Sequence, residues 1–272
     1  MIRKYRNKTI IEGNRVIKKR NDKIIELYEY LRTRNFENIP KIINKNEDTI
    51  ELEYIEPIKY HEVTKGTEFI KTVSTLHYKT MFFKDVSKNK YKKIYNKLQN
   101  NIEYLKKYYE EMIDKIESEI YMSPSHYLFA RNYTSLDSSL KYASNELKKW
   151  YKLVENKSKE RVCIVHNNLS LEHFIKGEQN YLISFDKYLV DTPILDIYIF
   201  YKKEGYKYDF NYLLKIYNEN LELLQEEKML LNILISIPPK IEKINNEYLN
   251  TKNIKEIFDY IYSGIGIVNE NK

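Results

Sequence analysis

The chain has 272 residues, of which 42% are hydrophobic and 31% charged, and its formal net charge is +7. A chain of this length can bury a large core in one or two domains. No stretch reaches the roughly 18 consecutive apolar residues that a membrane-spanning helix requires, so the composition predicts a soluble globular protein without a membrane span.

The positive charge and the 27 tyrosines could indicate a surface for nucleic acid. Lysine and glutamate are, however, interleaved along the predicted helices, as at Lys106-Lys107 and Glu110-Glu111, and the sequence contains no nucleic-acid recognition motif. We therefore expect no nucleic-acid partner, and we attribute the excess of Lys, Asn, Ile and Tyr to the codon bias of an AT-rich genome.

The only cysteine, Cys163, lies inside a predicted buried strand. A catalytic thiol is the functional alternative, but a small buried hydrophobic residue is the favoured interpretation. One cysteine cannot form an internal disulfide, and the first residues lack the apolar core of a signal peptide. The sequence therefore predicts that the protein is located in the reducing cytoplasm.

Residues 1–57 predict a small β-rich segment. Strand-like runs at 9–12 and 15–19 flank the turn Gly13-Asn14, which is a hairpin signal. Residues 21–34 carry apolar side chains at helical spacing, and the alternating pattern at 49–55, after Pro40, predicts another strand.

Residues 58–160 predict mainly helix. One helix covers 67–82 and contains Leu76-His77, a longer amphipathic helix covers 88–121 until Pro124 breaks the pattern, and a third covers 135–155. The last two are expected to form an antiparallel pair. The residues between them, 121–131, are unusually aromatic for a connection, and the sequence does not reveal their role.

Residues 161–196 contain the most informative pattern of the chain. The apolar run 162–165 is followed by a polar loop from His166 to His173, and a turn at Gly177 leads to a second apolar run, 181–185, which ends in Asp186. This pattern predicts strand, loop, strand, turn and strand, with polar groups where the strands end. Helices follow, the last of them at 254–262, before Gly264 and Gly266.

This layout resembles the catalytic core of the aminoglycoside phosphotransferase and choline kinase family of kinase-like proteins, near its spore-coat kinase-like branch. In that family a loop reads His-Gly-Asp, four residues and Asn. A second motif reads Ile-Asp-Phe-Asp, and a helix Asp comes ten residues after its last Asp. Here the loop runs from His166 to His173, the second motif is Ile183-Ser184-Phe185-Asp186, and Asp196 is the helix residue.

The resemblance implies a two-lobe, protein-kinase-like α+β fold. Residues 1–57 would form the small β-rich N-lobe, and residues 58–272 the larger, mainly helical C-lobe, which carries the loop region 161–196. His77 could point toward that loop, although a buried, hydrogen-bonded histidine is the favoured interpretation.

The resemblance also implies a nucleotide site that includes a strand lysine and a helix glutamate. Lys18 or Lys19 could be that lysine, and Glu26 or Glu29 its partner. A solvated Lys-Lys-Arg run beside ordinary helix-surface glutamates explains the same residues, and both interpretations stay open. The only glycine near the first turn is Gly13, so this turn does not resemble a phosphate-cradling loop.

The chemistry of the matched positions differs from that of the family. Asn168 stands at the catalytic Asp position, and its amide is not basic. His173 stands at the metal-binding Asn position and Ser184 at the metal-binding Asp position, whereas Mg²⁺ prefers carboxylate and other hard oxygen ligands. The resemblance leaves architectural roles for His166 and Asp196, which would brace the loop.

Two hypotheses follow. The first is a catalytically inactive pseudokinase, without a cofactor, that acts as a binding or scaffold module for a protein or small molecule; the family analogy adds a role in spore formation. The second is an active small-molecule phosphotransferase that uses ATP and Mg²⁺ in a rearranged site containing Asp186 and Asp191. A zinc site from His166, His173 and Asp186 is a weaker alternative, because ligand spacing alone is weak evidence.

Overall fold

The computed structural model describes residues 2–4, 9–59, 61–87 and 89–270 of the chain. The first part of the chain contains a small antiparallel sheet, and most of the remaining chain is helical. The predicted α+β class is therefore confirmed. The strands are β1 (Ile2–Lys4), β2 (Ile10–Glu12), β3 (Arg15–Lys19), β4 (Ile42–Lys45), β5 (Thr49–Glu53), β6 (Phe82–Asp85), β7 (Lys159–Val165), β8 (Phe174–Lys176), β9 (Asn180–Leu182) and β10 (Leu189–Asp191). The helices are α1 (Asp22–Thr33), α2 (Glu62–Thr80), α3 (Lys90–Glu117), α4 (Pro124–Val154), α5 (Ile194–Lys203), α6 (Phe210–Asn220), α7 (Gln225–Ile235) and α8 (Glu247–Glu270).

The chain divides into two compact units. The first, here called the core unit, comprises Met1–Phe82, Arg161–Ile199 and Leu213–Glu222. The second, here called the helical unit, comprises Phe83–Glu160, Phe200–Tyr212 and Leu223–Lys272. The core unit therefore contains both the five-stranded sheet and the loop region 161–196. The predicted boundary between two lobes at residue 57 does not coincide with this division into units and stays a prediction.

The five-stranded sheet of the core unit has the order β1-β2-β3-β5-β4, and all of its pairings are antiparallel. The predicted hairpin is present, with Ile10 opposite Ile17 and Glu12 opposite Arg15. Gly13 sits in its turn at a φ of 57°, a left-handed conformation that glycine adopts without steric cost.

Helices α1 and α2 complete this part of the core unit. Apolar side chains recur every three or four residues on both helices, and the structure buries them; α2 also buries polar side chains, including His77. The buried apolar residues are Ile25, Leu27, Tyr28 and Leu31 on α1 and Phe69, Ile70, Val73 and Leu76 on α2.

Three strands of the loop region start within a few residues of their predicted positions, but the predicted end of the third is wrong, because β9 ends at Leu182, and the sequence does not predict β10. β7 pairs antiparallel with β10, with Val165 opposite Leu189, and β8 and β9 form a short hairpin. Cys163 is fully buried on β7. The polar loop from His166 to His173 joins β7 to β8 and ends in a 3-10 turn, Leu171–His173.

In the helical unit, α3 and α4 pack along their length, as the antiparallel-pair prediction requires. The predicted start of the first helix, Lys88, lies outside the described residues. The predicted start of the second is wrong, because α4 begins at Pro124 and contains most of the segment 121–131. Ser123 caps it by accepting a hydrogen bond from the His126 N–H at 3.3 Å, and proline is tolerated in the first turn because its N–H would be unpaired there.

The predicted end of the last helix is also wrong, because α8 continues through Gly264 and Gly266. A Cβ atom on Gly264 would lie 3.1 Å from the Ile235 carbonyl oxygen and 3.2 Å from the Tyr201 hydroxyl oxygen. This glycine therefore lets α8 approach its neighbours closely and does not end the helix. None of the described helices is both long enough and apolar enough to cross a membrane.

Candidate functional site

The carboxylate of Asp196 holds the start of the 166–173 loop. Asp196 lies in the first turn of α5 and is fully buried. Its Oδ2 accepts a hydrogen bond from the His166 N–H at 2.6 Å, and its Oδ1 accepts one from the Asn167 N–H at 2.8 Å. His77 is buried behind it, with Nε2 3.2 Å from Oδ2 and Nδ1 2.8 Å from the Tyr217 hydroxyl. One carboxylate thus fixes two consecutive loop amides.

His166 connects this loop to the segment that follows β9. Its Nε2 lies 2.8 Å from the Ile183 carbonyl oxygen, and because a carbonyl can only accept, Nε2 carries the proton. Its ring also packs against His173, at a centroid distance of 5.3 Å, and against Phe185, at 4.7 Å. The buried histidine is therefore placed as a structural link between the two motifs.

The three positions predicted to differ in chemistry lie on adjoining backbone segments. The Ile183 N–H donates to the His173 carbonyl oxygen at 3.0 Å, which places Ser184 one residue from a direct backbone contact with His173. The His173 Nδ1 donates to the Asn168 carbonyl oxygen at 2.9 Å. The fold therefore brings Asn168, His173 and Ser184 into one neighbourhood.

Two residues of this neighbourhood have a left-handed backbone. Asn167 has a φ of 56° and Ser184 a φ of 65°. Asparagine and aspartate adopt this conformation more readily than most residues other than glycine, whereas serine is less suited to it. The backbone at Ser184 thus favours an Asp or Asn side chain, although the sequence supplies a hydroxyl.

The remaining aspartates of the region are Asp186 and Asp191. Asp186 is exposed in a 3-10 turn, Phe185–Lys187, and so lies outside β9, which ends at Leu182. Asp191 lies on β10 opposite Cys163, two residues beyond the pair nearest the loop, and its Oδ1 accepts the Thr192 N–H at 2.8 Å.

The donor set does not fit a magnesium site. Among the described residues, no three His, Cys, Asp or Glu side chains are grouped in a way that could hold a metal ion. Asn168 and Ser184 offer neutral oxygens and His173 offers an imidazole, whereas Mg²⁺ requires hard oxygen ligands, usually carboxylates. The structure does not support the zinc site from His166, His173 and Asp186 either, because His166 Nε2 already donates to the Ile183 carbonyl oxygen and Asp186 is exposed.

A cavity of about 510 Å³ lies in the core unit beside Ser184. Its walls are mostly apolar, with a small number of polar groups, which is typical of a small-molecule site. The apolar lining residues are Ile11, Val16, Pro40, Leu52, Ile55, Ile175 and Ile183, and the lining residues with polar groups are Thr9, Lys18, Tyr28, Glu53, Tyr54, Glu172 and Ser184.

The structure separates the two candidate lysines. Consecutive residues on β3 point to opposite faces of the sheet, so Lys18 is half-buried in the cavity wall while Lys19 is exposed. The candidate glutamates do not join them: Glu29 forms an ion pair with Lys45, and Glu26 is exposed. Among the described residues, no ion pair links either lysine to either glutamate.

The sequence prediction missed Tyr28 as a cavity residue. This side chain is 2% exposed, lies on the inner face of α1, and packs edge-on against Phe185 at 6.2 Å. Burial raises the pKa of the Tyr28 hydroxyl, and the charge of Asp186 raises it further, so the hydroxyl stays protonated. Helical spacing predicts its burial, but nothing in the spacing indicates that it lines a cavity.

Solved structures similar to this chain include phosphotransferases. A crystal structure of aminoglycoside phosphotransferase from Alicyclobacillus acidocaldarius matches 100% of this chain and 92% of its own, with a TM-score of 0.72 and 8% identity. The AMP complex of spectinomycin phosphotransferase matches 97% of this chain and 92% of its own, with a TM-score of 0.54 and 13% identity. Its complex with ADP and spectinomycin matches 95% and 88%, with a TM-score of 0.53 and 12% identity.

These matches confirm the predicted fold. The chain has the aminoglycoside phosphotransferase-like, kinase-like fold, with a small antiparallel-sheet lobe and a mainly helical remainder. No protein-family model matches the sequence, and no curated protein is similar to it in sequence. At these identities the likeness concerns the fold alone.

Proposed function

We propose that this chain, which has the fold of the aminoglycoside phosphotransferases, is a catalytically inactive binding module of the pseudokinase type. The observation that supports this most is the side chain of Ser184. It stands in a left-handed backbone beside His173, at the position where the resemblance requires a metal-binding carboxylate. A neutral hydroxyl is a poor ligand for Mg²⁺.

The other two positions support the same proposal. Phosphoryl transfer depends on positioning and on neutralising the charge of the transferred group, and it uses an acceptor for the proton of the attacking hydroxyl. An amide at Asn168 cannot accept that proton. The Nδ1 of His173 donates to the backbone carbonyl oxygen of Asn168, so this nitrogen is engaged within the loop and is not free to bind a metal ion.

The part of the site that the proposal retains is the cavity. Its apolar walls suit the flat or apolar body of a small molecule, and Lys18, Glu53 and the Tyr28 hydroxyl supply a few directional polar contacts. Binding in this cavity needs no metal ion. We therefore propose that the module recognises a small molecule directly and that any protein partner is recruited separately.

Isothermal titration with ATP, with and without Mg²⁺, tests this function. Wild type is expected to show no Mg²⁺-dependent binding, whereas Ser184→Asp combined with His173→Asn should acquire it, because metal affinity follows ligand type and charge at pre-placed positions. Adding Asn168→Asp would supply the proton acceptor. The control pairs Ser184→Asn with His173→Asn, since asparagine also tolerates the left-handed backbone but adds no charge.

The test separates the possible errors. Tight Mg²⁺-dependent binding by wild type contradicts the pseudokinase proposal. If the folded Ser184→Asp and His173→Asn double variant binds no better than its uncharged control, the assignment of these two residues to metal positions is wrong.

An active small-molecule phosphotransferase with ATP, Mg²⁺ and a rearranged site is the second candidate. The observation in its favour is that Lys18 and Ser184 line one cavity, close in sequence to Asp186. This candidate predicts phosphoryl transfer by wild type that Asp186→Asn or Asp191→Asn abolishes.

A spore-related role and a location in the reducing cytoplasm are further proposals. The buried Cys163, which cannot form an internal disulfide, supports the cytoplasmic location.

A further inference from the structure

The most exposed large hydrophobic side chains of the described residues lie at one end of the helical unit. Ile120 and Tyr121, in the connection between α3 and α4, are each 90% exposed, and Tyr248, in the first turn of α8, is 76% exposed. The whole set, here called the hairpin-end surface, is Ile120, Tyr121, Met122, Tyr127, Tyr248 and Leu249. Single exposed apolar residues are common, but a group of this size is typical of an interaction site.

Hydrogen bonds hold the backbone beneath this surface at three points. The Ser125 N–H donates to Glu247 Oε1 at 2.7 Å, and Asn250 Nδ2 donates to the Ser125 hydroxyl oxygen at 2.9 Å. These two bonds join the first turn of α4 to the first turn of α8. Glu119 Oε2 lies 2.8 Å from His126 Nδ1, which ties the connection to the same turn of α4. The exposed side chains are therefore presented by a fixed backbone.

A second cavity, of about 390 Å³, adjoins the hairpin-end surface. Its walls include Glu119 and His126, which also hold the connection, and Met112 and Ile116 from α3. The surface therefore has a recess beside it, and the anchoring side chains of protein interfaces usually bind in such pockets. None of these residues lines the core-unit cavity, so binding at this end of the molecule is independent of the function proposed above.

The hairpin-end surface is acidic, although the chain as a whole has a formal net charge of +7. Glu117, Glu119 and Glu247 are exposed within the segments 117–128 and 245–251, and these two segments contain no lysine or arginine. A backbone hydrogen bond lowers the pKa of the Glu247 carboxyl, so this group is ionised at neutral pH. Three carboxylates thus lie next to the exposed apolar side chains.

The wall of the adjoining cavity leaves this excess of negative charge in place. It adds one further carboxylate, Glu111, and two ammonium groups, those of Lys115 and Lys243. The surface and the cavity wall together therefore have more carboxylates than ammonium groups. Such a surface repels a nucleic acid or an anionic membrane and attracts lysine and arginine side chains.

We propose that the hairpin-end surface docks a basic, amphipathic segment of a partner protein. The apolar side chains of this segment cover Ile120, Tyr121 and Tyr248. Its lysines or arginines pair with Glu117 and Glu119, and arginine can also stack on the tyrosine rings. An amphipathic helix supplies both kinds of side chain, because its apolar residues recur every three or four positions.

The direct test uses ¹³C-methyl-methionine NMR of the full chain. The Met122 methyl reports on the hairpin-end surface, and the Met229 methyl on α7 is the internal reference. The probe is an amphipathic helical peptide of leucine and lysine, and the matched control peptide has glutamate in place of each lysine. We expect a saturable shift of Met122 with the lysine peptide and none with the glutamate peptide. Added salt should weaken the binding, because it screens exposed charges.

Variants at exposed positions assign the binding to this surface. Tyr121→Ser combined with Tyr248→Ser should weaken the lysine peptide at least about tenfold, since aromatic anchors carry much of the energy of an interface. Tyr212→Ser removes another exposed tyrosine, on α6, and should leave the affinity unchanged. Glu117→Lys should weaken the lysine peptide about three- to tenfold by like-charge repulsion.

An unmoved Met122 methyl, equal affinity for the two peptides, or unchanged affinity in the double tyrosine variant would each overturn the proposal. A different occupant would also overturn it. Cosedimentation of wild type with vesicles of phosphatidylcholine and phosphatidylserine, lost in the double tyrosine variant, would make the surface a membrane site. Self-association of wild type that the same variant abolishes would make it a contact between two copies of this chain.

Discussion

Asp196 holds the start of the loop through two backbone amides. Its carboxylate is fully buried and accepts bonds from two backbone amides, while Asp186 is exposed and lies in a 3-10 turn. Removing the carboxylate would leave the buried His166 amide without an acceptor, at about 1–3 kcal/mol, and the half-buried Asn167 amide without one at a smaller cost. We expect Asp196→Ala to lower the free energy of unfolding by about 2–4 kcal/mol and Asp186→Ala to change it by less than about 0.5 kcal/mol.

Urea denaturation of the two alanine variants measures this difference. Asp196→Asn is the matched control, because it keeps one accepting oxygen and should fall between wild type and Asp196→Ala. Coincident denaturation curves for the two alanine variants would show that Asp196 does not brace the loop.

For individual residues, the sequence predicts their position in the fold better than it predicts their hydrogen bonds or the direction of their side chains. The strand-and-loop pattern predicts that His166, Asn168, His173 and Ser184 lie in the segments next to β7, β8 and β9. It does not reveal the bond between His173 and the Asn168 carbonyl, because that bond depends on the loop conformation. Nor does it choose between Lys18 and Lys19, since the two faces of β3 are distinguished only by the cavity on one of them.

Between elements, two glycines of α8 provide a matched comparison. A Cβ on Gly264 would lie 3.1 Å from a carbonyl oxygen of α7, whereas nothing lies within 4 Å of a Cβ on Gly266. We expect Gly264→Ala to destabilise the protein by about 1–3 kcal/mol through overpacking. Gly266→Ala should stabilise it by about 0.5–1 kcal/mol, because alanine is the better helix former.

Thermal unfolding of both glycine variants measures the effect, with wild type as the reference. Equal shifts in the same direction would mean that α8 does not approach α7 through Gly264. The same glycines explain the wrong sequence prediction for this helix: two glycines near a helix end resemble a stop signal, and only the packing of the neighbouring helix shows that one of them is a contact.

The start of α4 depends on a carboxylate from another helix. Glu247, at the start of α8, accepts a hydrogen bond from the Ser125 N–H in the first turn of α4, and this bond lowers the pKa of its carboxyl group. A lowered folded-state pKa stabilises the protein above the unfolded value of about 4.3, and the stabilisation is lost as the pH falls through the folded value.

Glu247→Gln should therefore be less stable than wild type at pH 7, and the difference should shrink to nothing at a pH of about 2. Chemical denaturation across this pH range gives the comparison. Glu256→Gln is the control, since Glu256 lies on the same helix and is exposed. A difference that persists unchanged at acid pH would show that the charge of Glu247 plays no part.

For the whole molecule, the order of strands and helices could be predicted over most of the chain, because the periods of apolar residues are local. The arrangement of these elements into two units could not, because the core unit joins three separated stretches of sequence. The cavities could not be predicted from the sequence for the same reason. Residues 9 and 184, or 108 and 250, become neighbours only through tertiary packing.

The chemistry of the site also determines how much a ligand raises the melting temperature of the whole protein. A ligand that binds only the folded state raises its stability by about 2.7 kcal/mol at a hundredfold excess over its dissociation constant. Because Ser184 supplies no carboxylate, we expect Mg²⁺-ATP to raise the melting temperature no more than ATP does in EDTA. Val16→Trp, which fills the core-unit cavity, should remove whatever shift ATP gives alone, while Val190→Trp, at an exposed position outside it, should not. A melting temperature that rises with ATP only when Mg²⁺ is present would mean that a metal site forms from residues other than the three replaced ones, and the chain would then be an active transferase candidate.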